Sequence, residues 1–438
     1  MRIAVLGGGL AGLQIGRLLK ERGVDCVILE SREEAGGLCR TFRRGAHSWD
    51  IGPHAYYSRD PGAMRHFESL PVDYVRNERR VRVCHRSGER IVSVSYPFEN
   101  GLADLPWGER LECLGGALRA RLFGPGQFHD LRHWITEGLG TGIARHFMLP
   151  YNEKIWDCPL ERISMDLVSR KIEPEPVLKL IRNTFVRGTV GRAYQARFLY
   201  PRSGAGALTD AIARTVGERL QTHWRVSRLE PAEGGGWRIF SEGGSSTSAD
   251  AVVSTIPVPE LLAALGDPAL QARAAEFRGN DTFIVAVGLK EGRRFRAFGD
   301  CHWVFFAGPE SFYRLTFTRS LKGEGPDTAA AEITRRSGAG SLDTGALTGR
   351  VLADLRAAGI LADEADVEFS AVHLERHTYP IPTLGLEAAR REVEESLAAR
   401  GIFLLGRSGR WEYLNTDGIF LAAERFMSER LPALLGNS

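Results

Sequence analysis

Three glycines and one acid carry the most specific chemistry in this sequence. Gly7, Gly9 and Gly12 stand in G-x-G-x-x-G spacing, and Glu30 follows eighteen residues after the last of them. Glycine at these positions lets backbone N–H groups approach a pyrophosphate. Gly7 permits a tight turn, Gly9 the close approach, and Gly12 the contact of helix with strand. Glu30 is placed to hold ribose hydroxyls. Such residues need particular elements to position them. Arg2–Leu6 reads as a short buried strand, Leu10 to Leu19 is apolar at helical period, and Asp25–Leu29 is a second strand ending at Glu30. The helix start then turns free N–H groups and a positive dipole end toward the phosphates. Together these predict a Rossmann-type dinucleotide-binding unit, against the plainer reading of a Rossmann-like unit without nucleotide.

The stretch Ser31–Thr41 places Gly36 and Gly37 just beyond the ribose acid. It resembles the extended motif of FAD enzymes of the amine oxidase and protoporphyrinogen oxidase type. In that superfamily the glycines let the chain pass the flavin side of the pyrophosphate, so the resemblance implies FAD as cofactor. A strand-then-glycine pattern in Gly401–Arg407 and a helix over Gly418–Leu431 match the segment that returns to cover the flavin.

The rest of the composition bounds the class. The chain has 438 residues, 43% hydrophobic and 25% charged, with a net charge of +3. Two or three domains of a globular enzyme fit these values. The small net charge and scattered arginines give no case for nucleic acid, and no apolar run reaches the roughly 18 residues of a membrane span. Cysteines 26, 39, 84, 113, 158 and 301 show no C-x-x-C spacing, so reduced thiols, a cytoplasmic location and no metal site are expected.

Along the chain, Arg110–Leu122 and Leu131–Phe147 carry helical periodicity. Arg225–Leu229 and Trp237–Phe240 read as paired strands, and Ala249–Ile256 as a buried strand. Period-2 runs between 280 and 318 predict an antiparallel sheet. Residues 321–342 read as a long loop. The expected fold class is α/β: a discontinuous FAD-binding domain (1–70, 195–275, 395–438), an antiparallel-sheet substrate domain (71–104, 276–394) and a helical subdomain (105–194).

Five further segments narrow the function. They are Ser95–Asn100, Pro150–Trp156, Ser311–Arg314, His377–Gly385 and Gly406–Tyr413. In order and spacing they resemble UDP-galactopyranose mutase, its eukaryotic branch more than its bacterial one. The resemblance is patchy but runs from residue 1 to about 425. Protoporphyrinogen-oxidase-like proteins share some of these segments.

The resemblance implies roles residue by residue. Arg170 and Arg314 match the two arginines that clamp the substrate diphosphate, a task suited to planar guanidinium forks; the plain alternative for each is an ion pair. Tyr379 and Tyr413 match tyrosines holding the diphosphate beside the flavin, with ordinary packing as the alternative. Arg407 matches an arginine that touches the flavin, Val226 a residue at the adenine, and His54 a histidine beside the flavin ring. Tyr96, Asn152 and Trp156 match the part that holds the base and ribose, although Trp156 also suits a core.

Two positions depart from the family. Glu99 stands where the family has glutamine. An ionised glutamate only accepts hydrogen bonds, so it favours a base edge rich in N–H over uracil, the alternative being an arginine partner that leaves the base alone. Phe305 stands where the family places a tyrosine, which removes one hydroxyl from the diphosphate site.

The implied reaction is a pyranose–furanose mutation of a nucleoside-diphosphate sugar, with N5 of reduced FAD as nucleophile on the anomeric carbon. NAD(P)H or another reductant would reduce the flavin. A homo-oligomer is allowed. The rival readings are an FAD-dependent oxidase or desaturase of the protoporphyrinogen oxidase or amine oxidase class, and a non-catalytic flavoprotein.

Overall fold

The structure, a computed structural model, describes residues 1–165, 176–187, 196–340 and 342–436. Its first layer is a five-stranded parallel sheet. The strands run in the order Ile402–Leu404, Ala251–Ser254, Arg2–Leu6, Asp25–Leu29 and Leu220–Gln221. Ile3, Ala4, Val5 and Leu6 are all fully buried, because both faces of the sheet are covered. Ile3 and Val5 pack with helices Leu10–Glu21, Gly206–Val216 and Thr416–Glu429 on one face. Ala4 and Leu6 pack with helices Val258–Leu265 and Leu386–Ala398 and with a three-stranded antiparallel layer on the other.

The second layer is a seven-stranded sheet, ordered Val367–Pro380, Gly279–Leu289, Thr328–Arg336, Arg314–Phe317, Trp303–Phe306, Val81–Ser87 and Arg90–Ser95. The expectation of an antiparallel sheet needs one correction: Trp303–Phe306 pairs with Val81–Ser87 in parallel. A second correction concerns residues 321–342. Thr328–Arg336 is a central strand, and Thr328 through Thr334 are buried. Its alanines erase the alternation that marks a strand. Ala329 and Ala331 pack into one core, while Ala330 packs with Trp49 and Ile51 on the other face, so both faces need small apolar residues.

A third correction concerns Leu131–Phe147, which is not one helix. It breaks into Leu131–His133, the π-turn Trp134–Gly138, Thr141–Ile143 and the π-turn Ala144–Met148. Gly140 sits at φ 91°, and a Cβ there would lie 2.3 Å from the Gly116 carbonyl carbon. The chain must therefore bend at the residue that crosses helix Trp107–Phe123. Among the described residues no helix is long and apolar enough to cross a membrane, and all six cysteines are free thiols.

Candidate active site

The glycine turn connects the central parallel strand to helix Leu10–Glu21. Gly7 adopts φ 95°, and a Cβ on Gly12 would stand 1.8 Å from the Gly7 carbonyl oxygen. Only glycine fits that crossing. The helix start has no side-chain cap and no acid in its first turn, which leaves its N–H groups for an anion. The second glycine pair crosses the first. Gly36 N donates to Gly8 O at 2.8 Å, and a Cβ on Gly37 would meet the Gly9 Cα at 3.0 Å.

Glu30 is 6% exposed and accepts from Gly8 N at 2.7 Å and Arg32 N at 2.9 Å. Trp224 N donates to the Glu30 carbonyl at 2.7 Å, so the strand that opens at Val226 starts beside the acid. Gly406 packs on the same turn: a Cβ there would lie 2.5 Å from the Ala11 Cβ. An elongated dinucleotide fits such a cradle of close-approach glycines, uncapped helix start and buried acid at the carboxyl ends of parallel strands. Gly7, Gly9, Gly12, Glu30, Gly36 and Gly37 would hold its pyrophosphate and ribose, with Val226 toward the base.

The second part of the site is built from side chains. Strand Arg314–Phe317 begins with Arg314, whose Nε donates to Glu332 Oε1 at 2.6 Å and whose Nη2 donates to Glu332 Oε2 at 2.5 Å. Nη2 also donates to the Tyr379 hydroxyl at 3.3 Å. The Tyr313 hydroxyl donates to Glu332 Oε2 at 2.8 Å and lies 3.1 Å from the Tyr379 hydroxyl. Burial opposes the charge on Arg314, but the Glu332 carboxylate together with the Tyr379 and Tyr313 phenols offsets it and holds the guanidinium pKa well above its ordinary value. Burial first, then Glu332, raises the Tyr313 pKa well above the usual phenol, so it stays a donor.

Tyr379 owes its place to a bulge. Strand Gly279–Leu289 pairs Thr282 with Glu375 but Asn280 with Tyr379, so extra residues are looped out around His377, at φ 53°. Such bulges re-aim side chains. The bulge also turns the Thr378 carbonyl to Arg407, which donates to it from Nε at 3.0 Å and Nη2 at 2.6 Å. The Arg407 guanidinium lies 4.9 Å from the Tyr379 ring centre and 4.4 Å from that of Tyr413. Those two rings stack with centroids 5.8 Å apart.

An aromatic wall continues from there. Tyr96 packs on Phe305 at 4.7 Å, Phe305 on Tyr151 at 5.3 Å, and Tyr151 on Tyr313 at 6.3 Å between centroids. The structure therefore brings Tyr96, Phe305, Arg314, Tyr379, Tyr413 and Arg407 into one continuous surface. His54 joins it through its loop: a Cβ on Gly52 would lie 2.9 Å from Arg314 Nη2. Burial, against the pull of Asp50, lowers the His54 pKa and favours the neutral imidazole.

Asn152 and Trp156 are placed differently. Both are buried, and Trp156 Nε1 donates to Asn152 Oδ1 at 3.1 Å. The Trp156 ring stands edge-on to Tyr379 and Tyr413, at 6.1 and 6.4 Å, and backs the tyrosine pair. Glu99 lies in the short turn Phe98–Asn100 that follows Tyr96. Arg170 falls outside the described residues.

Sequence reasoning missed three participants. Glu332 fixes Arg314 but stands in an alanine-rich strand without a motif. Tyr313 was visible beside Arg314 without a role. Glu375, 3% exposed, accepts from Arg32 and Arg40 at 2.5 Å and ties the nucleotide turn to the seven-stranded sheet. A cavity of about 420 Å³ lined by Ser48, Arg202, Arg319 and Lys322 lies elsewhere, and none of the residues of the wall lines it.

The family model described as flavin containing amine oxidoreductase matches residues 10–290. A chloroplastic protoporphyrinogen oxidase of Nicotiana tabacum is 22% identical over 283 residues, covering 58% of this chain and 50% of that protein. The chain spans about half the length of such curated relatives. A crystal structure of reduced UDP-galactopyranose mutase superposes with a TM-score of 0.89 at 23% identity, covering 98% of this chain and 96% of the other. Putrescine oxidase bound to putrescine gives 0.68 at 14% identity, with 99% of each chain covered. The fold is thus that of these flavoenzymes.

Proposed function

The chain belongs to the flavin-containing amine oxidoreductase family and takes FAD as its cofactor; from that premise we propose that it is a nucleotide-sugar pyranose–furanose mutase. The observation that carries this reading is the buried Arg314–Glu332–Tyr313–Tyr379 network beside the His54 loop. Glu332 and Tyr379 engage Nε and Nη2 of Arg314, which leaves the Nη1 donors of its five-donor fork to face a diphosphate.

Bound FAD, when reduced, would supply a nucleophilic nitrogen for the anomeric carbon. Arg314, with Tyr379 and Tyr413, balances the charge on the departing diphosphate in a site where Glu332 has already fixed the guanidinium. Arg170 supplies the second arm of the clamp. Tyr96 offers a face for the base, and Trp156 backs the tyrosine pair. Neutral His54 shapes the flavin face without adding charge. Arg407 anchors the flavin side through Thr378. Glu99 selects a base edge richer in N–H than uracil, such as guanine or cytosine. The reaction is redox-neutral overall but needs the flavin in its reduced form, so NAD(P)H or another reductant would act on it once beforehand. We also assign residues 1–70, 195–275 and 395–438 to the FAD-binding domain, 71–104 and 276–394 to the substrate domain, and 105–194 to a helical subdomain. A cytoplasmic nucleotide-sugar metabolism fits this reading.

The test is direct. Purified protein is reduced with dithionite, incubated with UDP-, GDP-, CDP- and dTDP-sugars, and the pyranose and furanose forms are separated by chromatography. Interconversion of one donor class by reduced protein alone supports the mutase. No interconversion, together with oxygen uptake on porphyrinogens or amines, would establish the oxidase reading that the protoporphyrinogen oxidase relatives favour.

A further inference from the structure

Behind the aromatic wall, four polar side chains from three segments converge. His85 comes from strand Val81–Ser87, Glu109 and Glu112 lie one turn apart on helix Trp107–Phe123, and His146 comes from the turn Ala144–Met148. His85 Nε2 lies 2.7 Å from Glu109 Oε2, and His146 Nε2 lies 2.8 Å from Glu112 Oε2. The two imidazole rings meet edge to face at 5.6 Å between centroids. One ligand atom from each of His85, Glu109 and His146 falls within 4.8 Å of the others. The His85 side chain is 6% exposed and that of His146 13%.

We propose that His85, Glu109 and His146, with Glu112 completing the set, form a structural binding site for a zinc-class divalent transition metal.

The donor set is the first argument. Two imidazole nitrogens and two carboxylates suit a borderline cation in tetrahedral geometry. The charges balance as well, since a dication neutralises both carboxylates, of which Glu109 is 20% and Glu112 37% exposed. In the metal-free form the contacts within each His–Glu pair hold these side chains together. Bonds of about 2.1 Å in a tetrahedron separate ligand atoms by roughly 3.4 Å. Each His–Glu pair therefore opens by about 0.6 to 0.7 Å, the spacings of up to 4.8 Å among His85, Glu109 and His146 close, and Glu112, which lies outside that set of three, swings in about its own side-chain torsions.

The surroundings give the second argument. Ser87 Oγ donates to Glu109 Oε1 at 2.6 Å, orienting the carboxylate as outer-shell partners of metal ligands do. From His85 a run of rings leads to the candidate site: Phe98 at 6.0 Å, then Phe147 at 5.1 Å, then Tyr151 at 5.0 Å. A metal here clasps strand, helix and turn behind that wall and takes no part in the chemistry. The cysteine spacing could not reveal it, because the two histidines stand far apart in sequence and meet only after folding.

The experiment uses untagged holoenzyme stripped with a chelator. It is titrated with Zn²⁺ against a chromophoric chelator, and with Co²⁺ to read ligand-field absorption. The expected result is one equivalent per chain, a tetrahedral Co²⁺ spectrum and a raised melting temperature. His146→Gln weakens binding by roughly 100-fold, and Ser87→Ala by roughly tenfold. His133→Gln, at a half-buried histidine that stacks on exposed His129 at 5.0 Å, leaves the affinity unchanged. Flavin content reports folding, and Ser87→Ala carries the test if His146→Gln loses its flavin. Absence of stoichiometric binding by the parent would overturn the proposal. So would unchanged affinity in both cluster variants, or loss of binding in His133→Gln.

Discussion

Two buried carboxylates, Glu30 and Glu332, occupy the two halves of the site under opposite company. Glu30 accepts from backbone N–H groups at the glycine turn, whereas Glu332 accepts from a guanidinium and a phenol. The cradle is therefore held by chain geometry and the wall by side-chain charge. Sterics decide what a substitution does in the first region, and electrostatics decide it in the second.

That contrast can be broken most sharply at Gly12. A Cβ placed 1.8 Å from the Gly7 oxygen cannot be relieved by a rotamer, so Gly12→Val should leave almost no flavin in the purified protein, read from its visible absorbance. In the wall, Arg314→Lys should keep the flavin and lose roughly 10²- to 10³-fold in mutase turnover, since the ammonium cannot bind a fork of acceptors. Glu332→Gln should cost less, about tenfold in kcat, by releasing the guanidinium from its fixed pose. If Glu332→Gln instead strips the flavin, the division between the two regions fails. Glu99→Gln should change flavin and turnover little, but shift donor preference toward uridine by about tenfold or less, the worth of one hydrogen bond.

The smallest effect compares the halves in acid. Burial, reinforced by Arg17, pushes His66 in the cradle half down to about 4; burial, then Arg80 and Arg79, pushes His302 beside the mixed sheet down to about 3. Each binds its proton more readily when unfolded. Stability is thus full above the ordinary histidine pKa of about 6.5 and is lost as pH falls from there toward 3–4. His302→Gln should reduce the slope of stability against pH across that window by up to about one proton, measured by urea unfolding at several pH values.

The same contrast explains what was legible in the sequence. The strand Arg2–Leu6, the helix from Leu10 and the strand Asp25–Leu29 were readable because glycine spacing and burial period are local signals. Arg314, Tyr379 and Tyr413 were readable only through motif resemblance, and Glu332 through neither. Its strand, Thr328–Arg336, lacks alternation because both faces are covered, so it passed for a loop. The run Leu131–Phe147 kept its period across Gly140, where contact with Gly116 breaks the helix. Both misreadings arise where a distant segment, not the local pattern, sets the backbone.

The order of the parallel sheet carries a consequence for synthesis. Arg2–Leu6 is flanked by Asp25–Leu29, made soon after it, and by Ala251–Ser254, made much later, which is covered in turn by Ile402–Leu404. Until Ala251–Ser254 is made, the nascent chain holds Arg2–Leu6 with one edge open and its glycine turn unsupported by Gly406. Long-range pairings of this kind form slowly and expose apolar edges meanwhile. Messages truncated before codon 402 should thus yield chains that recruit chaperones and leave the ribosome without flavin.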